Sequence, residues 1–500
     1  MIYTSSAPDV DIPDVSLADH VLAQCAARPH EAALIDGITG EVITYGALDT
    51  GTRRVALGLL DVASPGDTVA LVSHNQPAYA VALHGAVRAG MPVTPINPLF
   101  SVDKLADRLR AAAARVVITS GDEAGKAAEA ARRIGVERVY TLGEADAGRP
   151  IGELLAGGDE SLDVHIEPLT AVAILAHTTG AGGVSKCVML THRNLIANLQ
   201  QHQAVCPVNE WDVFCATLPF CHMYGSTLVL NAGLLGGATV ITLPRFELRQ
   251  YLDVVERYGV TRGHLAPPMI IALAGSAEVE RFDTSSLRQV MSAAAPVDLD
   301  AVRVAEERIG CPIRQGYGMA EASPATHLAF DSEFVTVPAG AVGRPLPNTV
   351  CRVMNPRTGT DARPGGIGEL WVRGPQVMRG YLDDPLATAR TLVDGWFRTG
   401  DLVRVDPQGM FWVVDRLAGP ARYGDRTAGL TEILRSHPRV LDAAVIGMPG
   451  IGGGQVPHAL VVADGRVDAK SLLDWVGARS EHLLSIEFVD WLPGLPGEVP

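Results

Sequence analysis

Short, β-branched apolar segments recur beside alanine-rich helical stretches, and this alternation restricts the fold more than any other feature. Thr68–Ser73 (TVALVS), Arg115–Thr119 (RVVIT) and Ala238–Leu243 (ATVITL) each adjoin such a stretch. Strands without a polar face are buried on both sides, which a parallel sheet achieves through helical crossovers. Candidate helices cover Ser101–Ala114, Glu123–Ile134, Leu248–Tyr258 and Asp298–Ile309, the last opening on an aspartate suited to capping. The expectation is an α/β protein with helices on both faces of parallel sheets. At 500 residues it exceeds one ordinary domain, so two or more compact units are expected.

After about Gly340 the texture changes. Turn signals become dense (NPRTG, ARPGGIG, DDP, DPQG) between short strands such as Gly368–Val372 and Phe411–Val414, which reads as a twisted or barrel-like β region. A boundary follows Asp415-Arg416, and from Leu430 a small α+β pattern resumes. The chain has no internal repeat and no low-complexity tract.

Composition excludes several partners. A net charge of −15 opposes binding to nucleic acid or an anionic membrane, since such binders carry a basic face. The start, MIYTSSAPDVDIP, has neither a positive region nor an apolar core, and no apolar run reaches the length of a membrane span. A cytoplasmic protein acting on small molecules is expected. Seven cysteines without CxxC or His/Cys metal spacing point to reduced, mostly buried thiols and to no structural metal. Nothing specifies an oligomeric state.

One loop carries chemistry. His177–Cys187 reads HTTGAGGVSKC directly after the apolar run Ala171–Ala176, and its Lys186 is one of only four lysines against 37 arginines. Glycines after a strand let backbone N–H groups turn toward an anion, threonine hydroxyls add donors, and a compact ammonium can follow a moving phosphate. The spacing is neither GxxxxGK[ST] nor GxGxxG. A nucleotide-phosphate cradle built from Thr178, Thr179, Gly180, Gly182, Gly183 and Lys186 is expected; a plain surface turn is the competing reading.

Further landmarks follow in order: LPFCHMYG (Leu218–Gly225), SAAAP (Ser292–Pro296), GYGMAEASP (Gly316–Pro324) and GWFRTGDL (Gly395–Leu402). Together with the loop and the following VMLTHRNL, they resemble the signatures of the adenylate-forming superfamily: acyl- and aryl-CoA synthetases, non-ribosomal peptide adenylation domains and luciferases. AGMPVTPINPLF (Ala89–Phe100) looks most like the hydroxycinnamate- and fatty-acyl-CoA ligases. The resemblance implies a large N-terminal domain, residues 1–416, of two α/β subdomains and a distorted β-barrel. A small, reduced α+β lid, residues 417–500, would follow it.

The resemblance also implies roles. Tyr317 would stack on adenine, with Ala294, Ala295, Pro296, Gly316, Gly318 and Met319 bordering the nucleotide. Asp401 would accept from the ribose hydroxyls and Arg416 would donate beside it, unless the two form a plain ion pair. Glu321 would hold Mg²⁺ against the phosphates of ATP. Lys186, Glu321 and His222 would be the catalytic residues, and His222, His264, Ala266, Pro267, Ala293 and Ser323 would line the substrate pocket.

Departures from the pattern bear on function. Ala181 and Gly182 stand where the family has hydroxyl residues, Ser185 replaces a proline, and Ala320 replaces a threonine. DRLAGPARYGDRTAG (Asp415–Gly429) lacks the usual hinge-loop lysine, with Ala418 at its position, and Glu498 stands nearest the place of the lid lysine. A carboxylate there would repel the charge that builds between an attacking oxyanion and a phosphate. The leading expectation is therefore an ATP- and Mg²⁺-dependent enzyme that activates a small oxyacid, an aromatic carboxylate or nitrite, and passes it to an amine rather than to CoA. Amide formation and nitrite-dependent diazotisation of an arylamine both satisfy it. A conventional aryl- or acyl-CoA ligase, with Arg422 or Arg426 standing in for the lysine, and a non-catalytic nucleotide-binding relative are the alternatives.

Overall fold

A computed structural model of the chain describes residues 1–156, 162–179, 185–356, 358–417, 430, 433–449, 455–465, 467–477 and 485–488. Two large, mostly parallel sheets form its frame. One orders the strands Gly380–Tyr381, Ser185–Thr191, Val172–Thr179, Val93–Ile96, Thr68–Val72, Ala114–Ser120, Arg138–Leu142 and Arg149–Pro150. The other orders Ile313–Gln315, Gln289–Ser292, Arg262–Leu265, Val213–Ala216, Thr239–Thr242, Ala32–Asp36 and Val42–Thr44. The central strand Thr68–Val72 is buried at every position, as expected of a parallel strand covered on both faces.

Predicted helices form close to their expected limits. Leu248–Tyr258 is helical over the predicted residues, and Asp298 caps Leu299–Ile309 by accepting from the backbone N–H groups of Asp300 and Ala301. The helix expected over Ser101–Ala114 is shorter, Val102–Ala111. Ala113 turns to a φ of 49° and Ala114 already begins the next strand, so the alanine run, helical by propensity, is broken by strand pairing.

The barrel is corrected. The turn-rich region forms a seven-stranded sheet along Ile2–Thr4, Val350–Asn355, Gly368–Arg373, Trp396–Val405 and Leu392–Val393, with Thr360–Asp361 and Phe411–Arg416 branching from it. Among the described residues both ends of that order are unpaired, so the sheet is open. The N-terminal strand adds to one edge, with Tyr3 opposite Cys351. One continuous buried cluster, including Leu34, Val69, Phe214, Cys351, Leu370 and Phe411, joins all three sheets. A small three-stranded sheet, Val440–Pro449, Gln455–Ala463 and Ser485–Phe488, accompanies the helix Ala469–Gly477 near the C-terminus.

All seven cysteines are free, and six of them are buried. Among the described residues no helix is long and apolar enough to cross a membrane.

Candidate functional site

Parallel strands aim their carboxyl ends at a common crevice, where α/β proteins place ligands. Strand Val172–Thr179 pairs antiparallel with Ser185–Thr191, with Thr178 opposite Lys186 and His177 opposite Cys187. Directly opposed residues share a face of a ladder. Thr178 and Lys186 therefore lie on one face, and His177 and Cys187 on the other. On that second face His177 Nε2 lies 3.0 Å from Thr94 Oγ1, which fixes the hairpin to the neighbouring strand. Gly180, Gly182 and Gly183, with Ala181, lie outside the described residues, as do Ala418, Arg422, Arg426 and Glu498.

Lys186 is tied to Glu321 through a residue that sequence reasoning missed. Strand Gly380–Tyr381 pairs with the hairpin, setting Tyr381 opposite Val188. Lys186 is two residues from Val188 and so on the same face; its Nζ lies 4.6 Å from the centre of the Tyr381 ring. The Tyr381 hydroxyl donates to Glu321 Oε1 at 3.0 Å. Glu321 is buried, and burial raises its pKa above the usual carboxylate value against the opposing pull of its hydrogen bonds, Arg416 and Lys186. Only a tyrosine beside a glycine in a turn-dense stretch marked Tyr381 in the sequence.

Nine of the predicted nucleotide residues line one cavity of about 170 Å³: Ala294, Ala295, Pro296, Gly316, Tyr317, Gly318, Met319, Asp401 and Arg416. Gln315, Trp412 and Val414 also line it, and the sequence reading had not singled them out. Asp401 faces Arg416 directly across an antiparallel pair. Asp401 Oδ1 lies 3.2 Å from Arg416 Nε, while Oδ2 accepts from the Tyr317 hydroxyl at 2.7 Å. Tyr317 leaves its ring half-buried, and its hydroxyl, enclosed beside the Asp401 carboxylate, is held well above the ordinary tyrosine pKa by burial first and that charge second. Close backbone approach makes Gly318 obligatory: a Cβ there would lie 2.0 Å from the Pro324 carbonyl oxygen. Ala294 takes a φ of 76° at the cavity wall, the kind of strained backbone that collects at ligand sites.

The predicted substrate residues divide. His222 is solvent-accessible, yet the surrounding protein lowers its pKa by desolvation. His264 is buried at the end of its strand, face to face with Phe214 at 5.6 Å and edge-on to Tyr224. Ala266 and Pro267 start the helix Pro267–Gly275, with the proline at its first position. Ala293 is half-buried beside Ala294. Ser323 is not brought to an open surface: it is fully buried, and its hydroxyl donates to the Gln376 carbonyl at 2.8 Å.

Comparison with known proteins follows the same lines. The family described as AMP-binding enzyme matches residues 21–382, and the AMP-binding enzyme C-terminal domain matches residues 431–497. A 4-coumarate–CoA ligase 5 of Oryza sativa subsp. japonica is 34% identical over 514 residues, covering 99% of this chain and 95% of the relative. The structure of ATP-bound MatB from Rhodopseudomonas palustris superposes with a TM-score of 0.76 at 27% identity, covering 96% of each chain. The amide bond synthetase McbA from Marinactinospora thermotolerans gives 0.73 at 28% identity, over 96% of this chain and 97% of that one.

Proposed function

The chain belongs to the AMP-binding, adenylate-forming enzymes, near the hydroxycinnamate-CoA ligases, and from that premise we propose that this ATP-dependent enzyme activates a small oxyacid, an aromatic carboxylate or nitrite, and delivers it to an amine. Residues 1–416 form the adenylating domain in this reading, and residues 417–500 a shortened lid. The observation that carries the choice of acceptor is the charge reversal at Glu498, where an anion would oppose rather than assist lid-driven chemistry. Similarity to an amide bond synthetase supports an amine acceptor within this architecture.

The cavity residues supply the grip on the nucleotide. The accessible face of Tyr317 stacks on the adenine between the Ala294–Pro296 turn and Gly316–Met319. Asp401, with four acceptor positions on its carboxylate, takes the ribose hydroxyls while holding Tyr317 and Arg416. Thr178 and Lys186 face the phosphates from one side of the hairpin, and Thr179, Gly180, Gly182 and Gly183 are proposed as further phosphate ligands. Glu321 fits Mg²⁺: one carboxylate oxygen is fixed by Tyr381, burial disfavours its bare charge, and this ion is bound by one or two carboxylates plus substrate phosphates. When bound, Mg²⁺ offsets charge on the phosphates as pyrophosphate departs.

Lys186 stabilises charge at the α-phosphate as an oxygen of the acid attacks it and the bond to pyrophosphate breaks. His222, Ala266, Pro267 and Ala293 border the acid, and the neutral His222 adds no charge to repel or trap it. An amine nitrogen then attacks the activated centre, AMP leaves, and the amine gives up a proton. With nitrite as the oxyacid the arylamine attacks the nitrite nitrogen and AMP leaves; the N–H proton moves to the nitroso oxygen, one further proton is taken up there, and water departs to leave the aryl diazonium.

Asp401→Asn should raise the KM for ATP about 10-fold with a smaller effect on kcat, since it removes the negative charge that holds Arg416 and accepts from the ribose hydroxyls. Steady-state kinetics at varied ATP checks this. The acceptor is tested by product analysis: full-length enzyme with ATP, Mg²⁺ and aromatic acids, given CoA, amines, or nitrite with arylamines. AMP release coupled to amide or diazo product supports the reading. Thioester formation with CoA at comparable rates would replace it with the conventional ligase, which the 34% identity to a 4-coumarate–CoA ligase favours.

A further inference from the structure

A second cavity, of about 300 Å³, lies apart from the nucleotide cavity. Ser16, Asp19, Arg53 and Arg88 supply its polar wall. Leu162, Val164 and Ile166 supply apolar side chains, and His165 is the remaining ionisable group. No residue lines both cavities. The helix Pro77–Arg88 starts beyond the carboxyl end of strand Thr68–Val72 and leads back into the parallel strand Val93–Ile96. Arg88, its last residue, therefore stands at the amino edge of that sheet, whereas Thr178 and Thr179 end strand Val172–Thr179 at the carboxyl edge.

A guanidinium carries five N–H donors, and the protein uses three of those on Arg88. Nη1 donates to the Asp49 carbonyl oxygen at 3.1 Å and to Thr52 Oγ1 at 2.7 Å, while Nη2 donates to Asp49 Oδ1 at 2.6 Å. The other two donors have no partner among the described residues, although only 8% of Arg88 stays open. Arg53 is oriented by the same carboxylate: its Nε donates to Asp49 Oδ2 at 3.0 Å, and both terminal nitrogens are left without partners among the described residues. Asp49 thus aligns two guanidinium groups without itself lining the cavity, and donors held in place before a ligand arrives cost less to order. Asp19 brings the opposite charge. Its Oδ2 accepts from the Ser16 hydroxyl at 2.7 Å, and Oδ1 keeps its acceptor positions.

A simple anion in this cavity would meet the Asp19 carboxylate as well as the guanidinium groups, and a simple cation would meet the reverse. A molecule with both charges close together and an apolar remainder satisfies every wall. We propose that this cavity is a second ligand site, which takes an α-amino acid with an apolar side chain. Its carboxylate accepts from the free N–H groups of Arg88 and Arg53, charge-assisted bonds of the stronger kind. Its ammonium donates to Asp19, and its side chain lies against the half-buried Leu162, Val164 and Ile166.

The test is isothermal titration calorimetry of the full-length protein, without ATP, using L-leucine and L-phenylalanine. Each is set beside its analogue lacking the ammonium (4-methylpentanoic or 3-phenylpropanoic acid) and its analogue lacking the carboxylate (isopentylamine or 2-phenylethylamine). At least one amino acid should bind about 10-fold or more tightly than both of its analogues. Saturating AMP should leave that affinity within about 2-fold. Arg53→Gln should weaken amino-acid binding about 10-fold, and Asp19→Asn should abolish the preference over the acid that lacks the ammonium. Both side chains are exposed, so both variants should keep the parent's affinity for AMP within about 2-fold. Binding of neither amino acid, equal binding of an amino acid and an analogue, displacement by AMP, or a preference that survives both substitutions would each overturn the assignment. The ligand series on the unaltered protein decides the matter even if a variant fails to fold. No acid is activated in this experiment, so its outcome is independent of the acceptor proposed above.

Discussion

Glu321→Gln should lower AMP formation by about 10²-fold or more and yet raise the thermal stability of the ligand-free protein near neutral pH. Both effects come from one carboxyl. Burial raises its folded pKa above the ordinary 4.5, so between those values the folded state holds more protons than the unfolded chain, and stability falls as pH rises through the folded pKa. Below 4.5 both states are protonated and the penalty vanishes. Glutamine keeps an oxygen for the Tyr381 hydroxyl but cannot ionise, so the variant lacks this falling limb. The gap in melting temperature between variant and parent should therefore be widest near neutrality and close as the pH drops. Adding Mg²⁺ and ATP should reverse the order, because ligand binding stabilises only a protein that can bind. Thermal melts across pH with and without Mg·ATP check both. A parent protein less stable in acid than the variant would contradict the sign.

Lys186→Ala should cost about 10²- to 10³-fold in AMP formation, on the order of 3–4 kcal/mol of transition-state stabilisation. Lys186→Arg should recover only part, because a planar guanidinium resting on the Tyr381 ring cannot track a phosphate as a compact ammonium does. Glu498→Lys is the counterpart. If the cation for chemistry comes from the hairpin, restoring a lysine in the tail should change the rate by less than about 3-fold. AMP measured in single turnovers separates chemistry from product release. A Lys186→Ala enzyme keeping a tenth of its rate, or a large gain from Glu498→Lys, would transfer the role to the tail.

The residues legible in the sequence were those whose neighbours in the chain are also their neighbours in the cavity. Gly316–Met319 and Ala294–Pro296 are runs, and each run arrives in the crevice as a unit because it follows the end of a parallel strand. Asp401 and Arg416 were named separately, but a single hairpin register sets them face to face. Tyr381 escaped because its position depends on pairing between Gly380–Tyr381 and a strand nearly two hundred positions earlier, which no local pattern announces. The packing around His264 was invisible for a similar reason: Phe214 and Tyr224, which meet its ring, belong to two different elements. The barrel was over-read. Dense turns and short strands correctly indicate an antiparallel sheet, but closure depends on shear and strand count, which turn spacing does not report. Ser323 came with its motif, yet its hydroxyl is spent on the Gln376 carbonyl.

Among the described residues, the walls of the nucleotide cavity are drawn from positions between Ala294 and Arg416, none of them in the lid as the sequence bounds it. Under the proposed function, mutations in the tail would alter which nucleophile receives the activated group while the nucleotide cavity is kept. Relatives that diverge in their final eighty or so residues would on this basis be expected to share a nucleotide and differ in product.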